Sequence, residues 1–204
     1  MNSKYLAVLV ACFALVLPGI ANAETKIGAP APDFSLADSN GVKRSLSEFK
    51  GKFVVLEWLN PECPFVKKHY KPGNMQKLQA DYTAKGVVWL TINSSAPGKQ
   101  GHLSGEQAAQ FVRDQKASPT AILLDPEGTT GKAYGARTTP HMYIIDPNGT
   151  LTYAGAIDDN DSSSSDSIAG AKNYVTVALD QALAGKPVTV ASSEPYGCSV
   201  KYAS

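Results

Sequence analysis

Charge of one sign, histidine and cysteine are all scarce in this 204-residue chain, and each scarcity removes a class of function. Nineteen basic against 18 acidic side chains leave a formal charge of +1, which gives no electrostatic footprint for nucleic acid or an anionic membrane surface. Three cysteines and three histidines stand without the paired spacing that holds zinc. No glycine loop is built to cradle phosphate, no Ser-His-Asp signature is present, and no segment repeats. The longest apolar run, Tyr5 to Leu17, is too short to span a bilayer. What remains is an ordinary mixture, 43% hydrophobic and 18% charged with 17 Gly and 13 Pro, as expected of one loop-containing globular domain. Its size allows a real core without metal or disulfide staples.

Residues 1–23 read as a secretory signal. Lys4 supplies the positive start, Tyr5 to Leu17 the apolar stretch, Pro18-Gly19 the break, and Ala21-Asn22-Ala23 the small residues of a cleavage site. Leu9-Val10-Ala11-Cys12 resembles a lipobox, but Phe13 to Leu17 stay apolar where a lipoprotein turns polar. The chain is therefore expected to be exported, to the periplasm or outside, with 24–204 as its folded domain. Cleavage removes Cys12 and leaves Cys63 and Cys198, in a compartment where a disulfide persists.

Along that domain, strands and helices alternate. Gly28 to Leu36 is extended, Asp38-Ser39-Asn40-Gly41 is a turn, and Ser45 to Phe49 a short helical turn. Phe53 to Leu59 is a continuous apolar run, the mark of a strand covered on both faces. A helix is expected from Cys63-Pro64 to Ala84, broken at Pro72-Gly73. Val87 to Asn93 and Thr120 to Leu124 read as strands. Glu106 to Gln115, capped by Ser104, and Thr130 to Tyr134 read as helices. Pro147-Asn148-Gly149 joins a hairpin, Asp158 to Ser167 is expected as a mobile surface loop, and Tyr174 to Ala184 is the last helix. This order predicts an α/β sheet, parallel in part, with antiparallel edge strands.

Cys63 stands where the buried strand gives way to a helix, with Pro64 suited to the first helical position. The sulfur there meets the free first-turn amides and the positive end of the helix dipole, with Lys67 and Lys68 adding charge one turn on. That setting favours the thiolate, the nucleophilic form. Cys198, in the flexible Tyr196-Gly197-Cys198-Ser199 tail, is a resolving cysteine, a disulfide partner of Cys63, or an unpaired thiol. Trp58 and Trp89 read as core, and His69 and His102 carry no distinct signal. A Cys/His copper site lacks the second nearby cysteine it needs.

The segments GAPAPDFSL, GKFVVLEWLNPECPF, ARTTPHMYIIDPNG and LTYAG, in this order and spacing, resemble the thioredoxin-fold redoxins of the alkyl hydroperoxide reductase/thiol-specific antioxidant group, peroxiredoxin-like members above all. The resemblance implies a thioredoxin-like fold: a central mixed β-sheet flanked by helices, with an N-terminal extension and an inserted strand-helix region. It aligns Cys63 with the first cysteine of CxxC and puts Val66 at the second, which removes the local disulfide. It makes Thr139-Pro140 the cis-proline loop that faces the active sulfur and pairs with a substrate backbone, and Glu57 a buried acid that moves protons to and from it. The alternative for Glu57 is an ion pair at the sheet edge. Asn60, Pro64, Arg137 and His141 are expected around the substrate, with His141 either an assistant to the thiolate or a surface histidine, and Arg137 either a stand-in for the hairpin arginine of peroxiredoxins or a surface charge.

Against true peroxiredoxins, the proline seven residues before the cysteine is Leu56, the threonine three before is Asn60, and the arginine position at the hairpin start is Pro140. Those groups polarise a peroxide, so their absence puts efficient peroxidase chemistry in doubt. The expected function is an exported thiol-disulfide oxidoreductase that works with a thiol or disulfide protein partner and no cofactor. A weak thiol peroxidase acting on small peroxides and a redox-inactive binding module are the alternatives.

Overall fold

The computed structural model describes residues 25–203, so residues 1–23, expected to be a secretory signal, and Cys12 lie outside the described residues. The first strands, β1 (Ser35–Asp38) and β2 (Lys43–Ser45), pair antiparallel around the Ser39-Asn40-Gly41 turn. A 3-10 turn at Leu46–Phe49 follows. Strand β3 (Val54–Trp58) is buried at every residue, because it lies between β4 (Val88–Asn93) and β7 (His141–Ile145) with a packed layer on each face. Alternation then sorts its side chains. Val55, Glu57 and Leu59 face one layer; Val54, Leu56 and Trp58 face the other.

Between β3 and β4 the chain forms α1 (Pro64–Tyr70) and α2 (Asn74–Thr83), broken where Gly73 takes a φ of 84°. Helix α3 (Gly105–Asp114) starts at a capping box of Ser104 and Gln107. Strand β5 (Ala121–Leu124) and helix α4 (Thr129–Tyr134) come next along the chain. Strand β8 (Leu151–Gly155) closes the hairpin with β7, and α5 (Tyr174–Leu183) covers it. The sheet order is β2-β1-β5-β4-β3-β7-β8, parallel at β5-β4-β3 and antiparallel elsewhere. Helices α1, α2, α3 and α5 cover one face, and α4 with the N-terminal segment covers the other. Among the described residues, no helix is long and apolar enough to cross a membrane.

Two features depart from the sequence reading. The 158–167 stretch is not a free surface loop at its start: Asp158 is buried and bridges to Asn173, and the Ser165 hydroxyl donates to the Lys68 carbonyl. A carboxylate with a buried ammonium to pair with folds inward even from a polar run. The tail also forms a strand. β9 (Cys198–Ser199) pairs antiparallel with β6 (Thr138–Thr139), matching Thr139 with Cys198.

Gly197 makes that pairing possible. Its φ is 128°, and a Cβ there would lie 2.2 Å from the Thr139 carbonyl oxygen. Gly197→Ala is therefore expected to push β9 off β6 and to cost about 1–3 kcal/mol. Denaturant melts check the cost, and faster exchange of the Val200 amide, which donates to Arg137, checks the displacement.

Candidate active site

Cys63 is the N-cap of α1, with Pro64 at the first helical position. The strand ends at Leu59, Asn60-Pro61 turn the chain, and the Cys63 carbonyl then accepts from the Val66 and Lys67 amides. The sulfur is fully buried, 0% exposed, and donates to the Thr139 carbonyl at 3.1 Å. The Thr139-Pro140 peptide bond is cis. On the next strand over, Cys198 sits opposite Thr139, and the Thr139 hydroxyl donates to the Cys198 carbonyl at 3.4 Å. The two sulfurs are unbridged and lie close enough for each to perturb the other's proton affinity.

That contact splits their proton affinities. Burial pushes the Cys63 thiol up, but hydrogen bonds from the Cys198 thiol, the Thr139 side chain and the Val66 and Cys198 amides outweigh it and hold Cys63 below an ordinary thiol. Cys198 moves the other way. Burial first, then donation to Cys63 and the charge forming there, push it to about 11 against a small opposing effect of Lys201. One sulfur gives up its proton readily and its neighbour keeps one to share, an arrangement suited to nucleophilic thiol chemistry.

Glu57 lies on the same sheet face and is fully buried without a cation. Tyr70 donates to one oxygen at 2.8 Å; Trp89, Thr91 and Gln79 donate to the other at 2.8, 3.1 and 3.2 Å. Burial raises its pKa more than these four donors lower it. The edge ion pair is thus replaced by a buried carboxyl in a neutral cage.

The AhpC/TSA family model matches residues 27–154. The chain belongs to that family. It is similar to the thioredoxin-like protein YneN of Bacillus subtilis, 31% identical over 124 residues, 61% of this chain and 68% of that protein. It is also similar to the thiol-disulfide oxidoreductase ResA of Geobacillus thermodenitrificans, 30% identical over 125 residues, 61% of this chain and 66% of that protein. The match spans about two thirds of the length of these curated relatives. An uncharacterized conserved protein from Geobacillus kaustophilus superposes with a TM-score of 0.77 at 29% identity, covering 87% of this chain and 93% of that one. This AhpC/TSA chain has the thioredoxin-like fold, a mixed sheet between helical layers. The family match stops short of Cys198, so the tail is placed by the structure alone.

The other expected residues divide. Pro64 is exposed beside the sulfur. Asn60 is buried and directed to the neighbouring turn, accepting from the Glu62 amide and donating to the Gln100 carbonyl at 3.4 Å. Arg137 points outward and pairs with Glu194 at 3.0 Å. His141 stacks on Tyr143 with centroids 4.5 Å apart, and its Nδ1 accepts from the Arg137 amide at 3.3 Å. Burial, aided by Arg137, lowers its pKa to about 3, so it is neutral at physiological pH. The charge expected from Lys68 does not reach Cys63, because its buried ammonium turns to Asp158, the Asn160 carbonyl and Tyr196. Tyr196 and Asp158 were missed, since neither a tyrosine in a tail nor an aspartate in a Ser/Asp run carries a pattern.

Two outcomes follow. Cys198→Ala removes a donor to Cys63, so the midpoint of the alkylation-versus-pH profile at Cys63 is expected to move upward, whatever happens to its plateau rate. Glu57, with its folded pKa raised, contributes stability that is complete below the ordinary carboxylate range and lost as pH rises through the folded value. Urea melts of the wild type are expected to lose up to about 1.4 kcal/mol per pH unit in that window. Glu57→Gln flattens the loss.

Proposed function

We propose that this protein is an exported redoxin-type thiol-disulfide oxidoreductase in which Cys63 is the nucleophile and Cys198 its resolving partner. The observation that carries the reading is the placement of Cys198 across the ladder from Thr139, whose carbonyl the Cys63 sulfur meets at 3.1 Å beside the cis Thr139-Pro140 bond, with Cys63 the more acidic. The similarity to proteins named ResA and YneN supports the reaction class. Export rests on the signal pattern of residues 1–23.

In the reaction, the Cys63 thiolate attacks one sulfur of a partner's disulfide. A Cys63–partner bond forms, and the other partner sulfur leaves as a thiolate that takes a proton. Cys198 then attacks the Cys63 sulfur, the second partner thiol leaves, and a Cys63–Cys198 disulfide remains for an external thiol to reduce. Glu57, whose burial favours the protonated form, is the proton reservoir on that face of the sheet, and its Gln and Tyr neighbours complete the cage. Thr139 and Pro140 shape the edge facing the sulfur, and Pro64, Arg137, His141 and Asn60 border it. Because Cys63 is fully covered while β9 is docked, the tail lifts to admit a partner.

Peptide mapping after mild oxidation tests this, with a Cys63–Cys198 bridge expected and two free thiols contradicting it. Cys63→Ser is expected to lower turnover of a peptide disulfide by ~100-fold or more. Cys198→Ser is expected to accumulate a mixed disulfide on Cys63. Offered hydrogen peroxide instead, Cys63 yields a trappable sulfenate if small peroxides are substrates.

A further inference from the structure

Helix α1 carries more than the nucleophile. Five and six residues after Cys63, Lys68 and His69 point into the protein, and both are essentially inaccessible, at 1% and 0% exposure. They meet Asp158, 2% exposed, from the segment after β8, and Tyr196 from the tail. The Tyr196 hydroxyl is the centre of the group. It donates to Asp158 at 2.5 Å, accepts from Lys68 at 3.3 Å, and lies 3.1 Å from His69 Nε2. Asn74 donates to His69 Nδ1 at 2.9 Å, which leaves the proton on Nε2 and makes it a third partner aimed at the phenol oxygen. Lys68 also reaches Asp158 at 3.5 Å and the Asn160 carbonyl at 2.6 Å. The Tyr196 ring packs on Phe65, with centroids 5.8 Å apart.

Burying an ion pair is a poor route to stability, since apolar side chains of equal volume do as well or better. Its better-attested use is to fix one arrangement among several. Here the arrangement fixed is a particular one. The helix that begins at Cys63 is tied, through a single phenol, to the residue two before Cys198. The two-residue ladder of β6 and β9 and the Gly197 contact orient the strand, and among the described residues Tyr196 joins it to α1 through the buried Lys68 and His69.

We propose that Tyr196, latched by Asp158, Lys68 and His69, is a positioning residue that holds Cys198 against Cys63 and so sets the stability of their disulfide. This rests on the reading of Cys198 as the resolving cysteine. In that step the Cys198 sulfur attacks the Cys63 sulfur of the mixed disulfide, the partner thiolate leaves, and the proton released by Cys198 passes to it. No other reactant is needed. The latch raises the local concentration of Cys198 at Cys63, which favours ring closure over a second attack by an outside thiol.

Tyr196→Phe keeps the ring on Phe65 and deletes only the hydroxyl. Wild type and variant are equilibrated at fixed pH with graded mixtures of reduced and oxidised dithiothreitol, and the Cys63–Cys198 bridge is quantified by acid quench and peptide mapping. Tyr82→Phe is the control, because it deletes another tyrosine hydroxyl bonded to an aspartate, Asp180. The bridge in Tyr196→Phe is expected to be about tenfold easier to reduce, ~30 mV for a two-electron couple, with the control unmoved. An unchanged potential in Tyr196→Phe overturns the proposal, as does an equal shift in the control. Absence of a bridge in the wild type overturns the resolving-cysteine reading itself, and this proposal with it.

Discussion

The site depends on a three-way contact: the Cys63 sulfur against the Thr139 carbonyl, and Cys198 across the ladder from Thr139. Each partner arrives from a different part of the fold. The end of β3 and the start of α1 place Cys63, the β7 side of the sheet places the cis-proline turn, and the tail supplies Cys198. A buried thiol would ordinarily be inert, because desolvation disfavours its anion. Here hydrogen bonds reverse that outcome. The donor that does most to reverse it is the second thiol, whose own proton affinity rises in consequence.

The rest of the core serves that contact. Strand β3, covered on both faces and paired on both edges, is a rigid base for the turn that carries Cys63. The same strand holds Glu57 in a cage of neutral donors from α1, α2 and β4. A carboxyl kept there without a cation is a cost to folding at high pH that its four donors offset only in part. The Lys68–Asp158–Tyr196 group is the second polar insertion in the layer that holds Cys63. Both insertions originate on elements adjoining Cys63.

Most of the fold was legible in the sequence because strong local patterns dictated it. The unbroken apolar run at 53–59 could only be a central strand, Pro72-Gly73 had to break the helix, and Pro147-Asn148-Gly149 marked its hairpin. The position of Cys63 at a strand-to-helix junction was legible because an apolar strand ends just before it and a proline suited to the first helical position follows it. Three things were not legible. The tail strand depends on a long-range pairing that Gly197 permits but does not announce. Asp158 sits in a run whose composition says solvent, and it is drawn inward by an ammonium 90 residues away in sequence. Lys68 occupies the buried side of a helix too short to show clear amphipathicity. In each case the missing information was a partner distant along the chain.

Cys63 holds its proton more weakly than an ordinary thiol, and Cys198 holds its own more tightly. Thiolate absorbance near 240 nm, followed during a pH titration of the fully reduced protein, measures this directly. Two separated steps are expected, an early one below the ordinary thiol range that vanishes in Cys63→Ser, and a late one near pH 11 from Cys198. A single step in which both thiols ionise together at an ordinary cysteine value would contradict it.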